Sequence, residues 1–383
     1  MRFSFPRALH IISDPKFIDK HVSRFEKIGL VNRFIFLNKV NNYQGEYSTI
    51  IEFINEEDIL SVKALSKAAI NYEFIFVYFL NFGKVKFINY LDCKDPKVIW
   101  FFYGAELYNN IAIINFVLSD DTKRILGVYW KSKSILYLKE TIRVIKYALK
   151  GKLTPNKEFL KAVKRIDYFA WYSKEEYDFL LKKCKIVLPK FLQLNIKLTP
   201  PIKEPLIKHD CKILIGNSRD PLNNHIDVIN ILKSIEYKGN ISFPFSYGEK
   251  KKYSNYIRLI VSNSKLAIEL IEDFMPYNHY LNFVGQHSTA IFNSYRQMGL
   301  GNILVALWSG LKIYLSLKNP TYQWLKNLGF IIFSIEEDLL LDLKSNNLIL
   351  DNCKIAHNFH LYADLSKDEN NFQFIEKLYK ILS

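Results

Sequence analysis

Twice along this chain, short apolar runs alternate with segments of helical period, and one proline-rich stretch separates the two series. The first series reads as strands over Ala8–Ser13, Arg33–Asn38, Ser48–Phe53, Phe74–Phe79, Val98–Tyr103, Ile166–Trp171 and Lys185–Leu188. Helical patterns cover Phe17–Ile28, Ile59–Ala69 and Ser134–Lys150, and Ser173 opens another through a capping box with Glu176. The second series reads as strands over Lys212–Ile215, Asn240–Pro244, Leu266–Ile271, Thr289–Phe292, Ile313–Leu317 and Gly329–Ile332, closed by a helix over Asn371–Leu382. Strands alternating with helices predict an α/β fold with doubly wound parallel sheets. The separator, NIKLTPPIKEPLIKHD at 195–210, predicts a linker between domains 1–194 and 211–383. Two such domains suit 383 residues, too many for one ordinary core.

The four cysteines (Cys93, Cys184, Cys211 and Cys353) are far apart and form no CxxC pair, which disfavours a zinc site or a disulfide framework and fits a reducing cytoplasm. The opening MRFSFPRALHIIS has no signal-peptide pattern, and no apolar run reaches the length of a bilayer span. The expectation is a soluble or peripheral protein.

The net charge of +15 is concentrated: Lys123 to Lys190 carries 18 Lys and Arg against 6 Asp and Glu. Such a surplus suits an anionic partner, whether membrane surface, phosphorylated substrate or nucleic acid, although a solvated lysine-rich surface would look the same. Within it, Ile135, Leu138, Ile142, Ile145 and Leu149 alternate with Lys139, Arg143, Lys146 and Lys150, a basic amphipathic helix suited to an anionic membrane or to packing on one side. A nucleic-acid reader would need aromatic platforms, and only Tyr129, Trp130 and Tyr137 lie nearby, so nucleic acid is not an expected partner.

Ligands in open α/β sheets bind at the carboxyl ends of the strands. Four stretches end a strand there with glycine and polar residues. In CKILIGNSRDPLNNHID, Gly216, Asn217 and Ser218 turn the chain, and Asn224 and His225 start a helix. Tyr247 and Gly248 follow the strand ending at Pro244. Arg296, Gln297, Gly299, Gly301 and Asn302 lead into the apolar helix Ile303–Trp308, whose free N–H groups favour a phosphate. In the first half, Gly104 and Glu106 follow Val98–Tyr103. Each alone is explained as well by turn formation; together they favour a nucleotide-diphosphate site. No Walker, GxGxxG, HExxH, nucleophile-elbow or kinase motif is present.

ILIGNSRDPLNNHID, PFSYG, YRQMGLGN with LVALWSGLKIYL, and WFFYGAELY occur in an order that resembles the 4-α-L-fucosyltransferase family, glycosyltransferase family 56, the TDP-N-acetylfucosamine:lipid II N-acetylfucosaminyltransferases. The resemblance implies a GT-B fold, two Rossmann-like domains facing across a cleft with the nucleotide sugar mainly on the second. It makes Gly216, Asn217, Ser218, Asn224, His225, Tyr247, Gly248, Arg296, Gln297, Gly299, Gly301 and Asn302 donor-site candidates, with His10 and Gly104 on the acceptor side. Glu106 stands where the family has aspartate and Asn302 where it has threonine, and the loop from His10 to Asp14 lacks the family's polar continuation.

The expected activity is transfer of a deoxy-aminosugar from a TDP-type donor to a lipid-diphosphate-linked saccharide, as in bacterial surface polysaccharide synthesis. Glu106 or Asp14 is the expected base, Arg296–Asn302 the diphosphate loop and His225 a donor to phosphate or sugar. No DxD-type cluster marks the donor loops, so transfer without a metal or other cofactor is expected. The expected location is the cytoplasmic face of the inner membrane, bound peripherally. The alternatives are a GT-B enzyme with another donor or a soluble acceptor, and a nucleic-acid-binding protein.

Overall fold

A computed structural model describes residues 5–26, 29–92, 94–108, 117–127, 133–184, 186–194, 198, 211–248, 251–366 and 370–382. Seven strands form the first sheet: β1 (Arg7–Ile12), β2 (Val31–Asn38), β3 (Ile51–Asn55), β4 (Phe74–Tyr78), β5 (Lys97–Phe101), β6 (Tyr168–Trp171) and β7 (Lys190–Gln193). Their order is β3-β2-β1-β4-β5-β6-β7, and every pair is parallel. The second sheet contains β8 (Ile213–Ile215), β9 (Asn240–Pro244), β10 (Ala267–Ile271), β11 (Thr289–Phe292), β12 (Lys312–Leu315) and β13 (Phe333–Ser334). Its order is β10-β9-β8-β11-β12-β13, again all parallel. This is the expected α/β arrangement. In each sheet the order reverses beside the first strand, between β1 and β4 and between β8 and β11, where such sheets open a crevice.

Burial explains the composition of the strands. β4, β8, β11 and β12 are buried at every residue, so they read as continuous apolar or aromatic runs rather than as alternating ones. Local caps start the helices: Asp58 accepts from Leu60 N and Ser61 N, and Asn81 accepts from Lys84 N.

Several elements differ from expectation. The strand expected over Lys185–Leu188 is instead Lys190–Gln193, after Pro189, and Lys185 lies outside the described residues. The last strand is Phe333–Ser334 rather than Gly329–Ile332, because Gly329, at φ +96, still belongs to the turn after helix Pro320–Asn327. Helices at Phe82–Asn89, Asp120–Leu126 and Pro155–Arg165 were not expected. Of the linker 195–210 only Leu198 is described; it is buried in the second core, its N–H donating to Leu365 O.

The helix Asn370–Leu382 departs from the expected 211–383 domain. Phe374 and Leu378 are fully buried in the core formed by Ala8, Ile12, Val22 and Phe25, against the first sheet. The Lys377 ammonium donates to Gln193 O and the Tyr379 hydroxyl to Gly29 O.

Contacts also run between the two halves. Helix Asp120–Leu126 packs on helices His225–Ser234 and Lys251–Ser262, and helix Lys174–Cys184 packs on Pro320–Asn327. Among the described residues, no helix is long and apolar enough to cross a membrane.

Candidate active site

The second sheet brings three expected loops together. Gly216, at φ +69, ends β8 in a conformation that disfavours a side chain, and a Cβ there would lie 3.0 Å from His225 Nε2. The loop it opens is tied to the turn after β9: Arg219 N donates to Tyr247 O at 3.0 Å, the Arg219 guanidinium to Gly248 O, and the Asn217 amide to the Tyr247 hydroxyl at 2.8 Å. The third loop closes from the other side. Gly299, at φ +63, starts helix Leu300–Trp308, and a Cβ there would meet Asn217 Cγ at 2.9 Å and Asn302 Nδ2 at 3.2 Å. Nothing lies within 4 Å of the corresponding position on Gly301, so open space faces that residue in the first turn of the helix.

Asn217, Tyr247 and Asn302 are three walls of a cavity of about 220 Å³ at the ends of β9 and β10. Its remaining lining includes Pro244, Ile271, Asp273, Phe274, Tyr277 and Tyr280. Apart from Pro244 of PFSYG, these residues stand between motifs, and their sequence signal is the aromatic cluster after β10.

Arg296 and Gln297 point to the first half. The half-buried Arg296 guanidinium lies 4.9 Å from the ring centre of Tyr108, and its Nη1 donates to Gln297 O at 3.0 Å. Its Nε is buried without a hydrogen-bond partner, and among the described residues no carboxylate pairs with it. Burial pushes its pKa down from the usual arginine value, opposed by Tyr108, Asp220, Glu176 and Glu106. Gly104, at φ +102, makes the approach possible: a Cβ there would lie 3.3 Å from Gln297 Oε1 and 3.6 Å from Arg296 Nη1. Tyr108 donates to Glu176 at 2.8 Å, Trp171 donates to the same carboxylate at 2.7 Å, and burial raises Glu176 to about 7.

Asn224 and His225 do not face the cavity. Asn224 is fully buried at φ +46; its Oδ1 accepts from Ser119 N at 2.8 Å and its Nδ2 donates to Asn293 O at 2.9 Å, which joins the two halves. His225 is fully buried against Phe243 and the Tyr253 hydroxyl, and burial pushes its pKa down to about 3. Neither side chain is exposed in this arrangement, and the Nε2 of His225 is buried without a hydrogen-bond partner. Ser218 is likewise fully buried, its carbonyl and hydroxyl both accepting from Asn223.

On the first sheet, His10 is buried in the same way. β1 is covered on both faces, so His10 stacks between Phe34 and Phe76 at 4.5 and 4.8 Å. Its Nε2 donates to Asn32 Oδ1, its Nδ1 accepts from the Tyr78 hydroxyl, and burial pushes its pKa to about 3. The ring is thus fully buried, with no surface open to solvent.

The two expected bases separate. Glu106, on the short helix Ala105–Tyr108, folds back so that Oε1 accepts from Tyr103 N at 3.1 Å and Trp100 Nε1 at 3.2 Å. Its Oε2 is shut off from solvent without a partner, and burial raises the carboxyl to about 7. Asp14 instead lines a cavity of about 430 Å³ at the ends of β1 and β4, where Oδ1 also accepts from Lys16 N. Beneath that cavity Lys84 is fully buried, donating to Ser13 Oγ at 2.5 Å, to Phe79 O at 2.9 Å and to Tyr78 O.

Solved structures with this architecture cover almost the whole chain. A lipopolysaccharide outer core galactosyltransferase, WaaB, aligns with TM-score 0.58 at 9% identity over 98% of this chain and 99% of its own. A glycosyltransferase from Rickettsia africae gives 0.58 at 12% over 99% and 98%. HepE of Anabaena, crystallised with UDP and glucose, gives 0.57 at 9% over 98% and 99%. At such identities the likeness is one of fold, and that fold is GT-B. Residues 162–368, more than half of the chain, match the model of one sequence family. The chain is a glycosyltransferase that belongs to that family, 4-alpha-L-fucosyltransferase glycosyl transferase group 56.

Proposed function

We propose that this enzyme moves a deoxy-aminosugar, with N-acetylfucosamine the first candidate, from a TDP-type nucleotide sugar to a saccharide carried on a lipid diphosphate. The observation that carries the donor half is Arg296: a half-buried cation with no carboxylate partner among the described residues, where the two halves meet. Leaving a buried charge unpaired is costly, and a diphosphate arriving there removes that cost. The N-terminus of helix Leu300–Trp308, with open space at Gly301, adds a favourable dipole beside Asn302. The aromatic and aliphatic walls of the 220 Å³ cavity suit the flat base of the nucleotide.

In this scheme an acceptor hydroxyl oxygen attacks the anomeric carbon while Asp14 takes its proton. The bond from that carbon to the diphosphate breaks, and Arg296 and the helix N-terminus stabilise the negative charge on the departing nucleotide. No metal is required. Asp14 is favoured over Glu106 because its carboxylate lines an open cavity and that of Glu106 is turned inward.

The lipid half rests on helix Lys133–Ala148. Ile142, Ile145 and the following Leu149 are more than half exposed, so they are not packed on the protein, and Lys146 and Lys150 are exposed beside them. Apolar side chains flanked by lysines suit the cytoplasmic face of an anionic membrane, each lysine contributing about 1 kcal/mol. The expected platform residues Tyr129 and Trp130 lie outside the described residues.

Thermal shift against TDP-, UDP- and GDP-sugars tests the donor. A shift with TDP-sugars alone supports the reading, and no shift with any nucleotide overturns it. Turnover with a water-soluble saccharide as efficient as with the lipid-linked one would overturn the acceptor half.

A further inference from the structure

The loop that carries Arg296 belongs to the second half by sequence, yet the residues on either side of it are fixed in the first. Tyr295 is buried in the core that contains Trp100, Phe102 and Tyr108, and Met298 packs against that core. The loop can approach because Gly104, at φ +102, has no side chain. A Cβ there would stand 3.3 Å from Gln297 Oε1, 3.5 Å from Tyr108 Cδ2 and 3.6 Å from Arg296 Nη1.

The Arg296 guanidinium rests over the ring of Tyr108, 4.9 Å from its centre. That ring is fully buried and is tied down at its far end. Its hydroxyl donates to Glu176 Oε1 at 2.8 Å, and the other oxygen of Glu176 accepts from Trp171 Nε1 at 2.7 Å. Glu176 is itself buried, and its N–H donates to Ser173 Oγ at 3.1 Å. The first half thus spends a buried carboxylate on fixing a tyrosine, not on pairing with the nearby arginine.

This arrangement has a chemical consequence. A carboxylate facing Arg296 directly would occupy the fork of N–H donors that a diphosphate needs. A ring face attracts the cation through its quadrupole and leaves the in-plane donors unspent. Among the described residues, the side chain of Arg296 makes one hydrogen bond, from Nη1 to Gln297 O at 3.0 Å, and its Nε makes none. We propose that Tyr108 is a positioning residue for the transfer. Its ring, clamped through Glu176 and Trp171, holds the Arg296 guanidinium where the two halves meet and keeps its N–H edge free for the donor's diphosphate.

The inference rests on the proposal that Arg296 receives that diphosphate, and the test separates the two. Tyr108→Met removes the ring and Tyr108→Phe keeps it, each made alone and in an Arg296→Gln background. Calorimetric titration with TDP, and with thymidine as control, reads the result. Tyr108→Met is expected to weaken TDP binding by about tenfold and Tyr108→Phe by less than about threefold, with thymidine unaffected. In the Arg296→Gln background neither substitution should change TDP affinity further, a coupling that a purely structural tyrosine would not show.

Because Tyr108 is fully buried, a second measurement leaves that position intact. In nitrogen-edited NMR of the parent protein, the Arg296 Nε–H signal is assigned by its absence from Arg296→Gln. It should lie upfield through the ring current of Tyr108 with and without ligand, and move on addition of TDP but not of thymidine. A signal that TDP leaves in place, or whose upfield position is lost when TDP binds, overturns the inference. So does equal weakening of TDP and thymidine in Tyr108→Met, or an undiminished effect of that substitution in the Arg296→Gln background. TDP binding that falls in Arg296→Gln but not in Tyr108→Met overturns this inference alone. TDP binding unchanged in Arg296→Gln overturns the donor reading and this inference with it.

Discussion

The Arg296 guanidinium of the donor-side loop stands 4.9 Å from the ring centre of Tyr108, a residue of the opposite half, whose hydroxyl is held by Glu176 at 2.8 Å. A cation resting on a ring, with its Nε unpartnered, is stabilised less than one paired with a carboxylate. Arg296→Gln is therefore expected to act in opposite directions on two measurements. It raises the melting temperature without ligand and weakens TDP binding by about 10- to 100-fold. Calorimetric titration with TDP and with thymidine checks this, because only the diphosphate compound should lose affinity.

Asp14→Asn is expected to lower kcat by about 10²- to 10⁴-fold with little change in nucleotide affinity, the loss associated with removing a general base. Glu106→Gln is expected to cost less than about tenfold, since its Oε1 contacts to Tyr103 N and Trp100 are held inside the domain. Steady-state rates of the two variants decide between the carboxylates; the reverse ranking would reinstate Glu106.

Glu106 also has a pH signature. Burial raises its carboxyl from 4.5 to about 7, so the folded chain binds this proton more tightly than the unfolded one. The stability it contributes is complete below pH 4.5 and is lost as pH rises through 7. Glu106→Gln removes that loss. The variant should be more stable than the parent by about 3 kcal/mol at pH 8 and equal to it at pH 4, as read by urea titration at the two values. A pH-independent difference would contradict the assignment.

Lys84→Met is expected to destabilise the first half by about 2–4 kcal/mol, because Ser13 Oγ and the carbonyls of Tyr78 and Phe79 lose a shared donor. Chemical denaturation measures this.

Serine at Ile145 and Leu149 together should release the protein from anionic vesicles with no loss of activity toward a water-soluble acceptor analogue. Both side chains are solvent-exposed, so the fold does not depend on them. Co-sedimentation at low and high salt provides the readout, and high salt alone should also weaken attachment. Vesicle binding unchanged by the substitutions would remove this helix from the membrane account.

The two sheets were legible because parallel strands covered on both faces leave continuous apolar runs: Ile213–Ile215 and Thr289–Phe292 can hardly be anything else. Glycines at forced backbone angles were legible too, as Gly104, Gly216, Gly248 and Gly299 all take positive φ. What could not be read was direction. His10, Asn224 and His225 look like polar groups at strand ends, yet all three are buried; His10 and Asn224 bond inside the protein, and of the His225 ring nitrogens only Nδ1 has a partner. The helix Phe82–Asn89 was missed because its apolar residues fall on all sides; Pro155–Arg165, with Thr154 as cap and Phe159, Ala162 and Val163 on one face, carried a legible pattern that was passed over. The walls contributed by Phe17, Tyr103 and Phe274 come from segments distant in sequence and are joined only by the folded chain.

The helix Asn370–Leu382 covers a surface built from residues 8 to 25, so the first half cannot finish its core until the last part of the described chain has been synthesised. During translation the neighbourhood of Ala8, Ile12 and Phe25 stays uncovered while about 350 further residues emerge. A nascent chain released before residue 370 would carry an open apolar seam on its oldest domain. Folding of this enzyme thus closes residues 370–382 upon residues 8–25, and the half made earlier waits for the later segment to cover it.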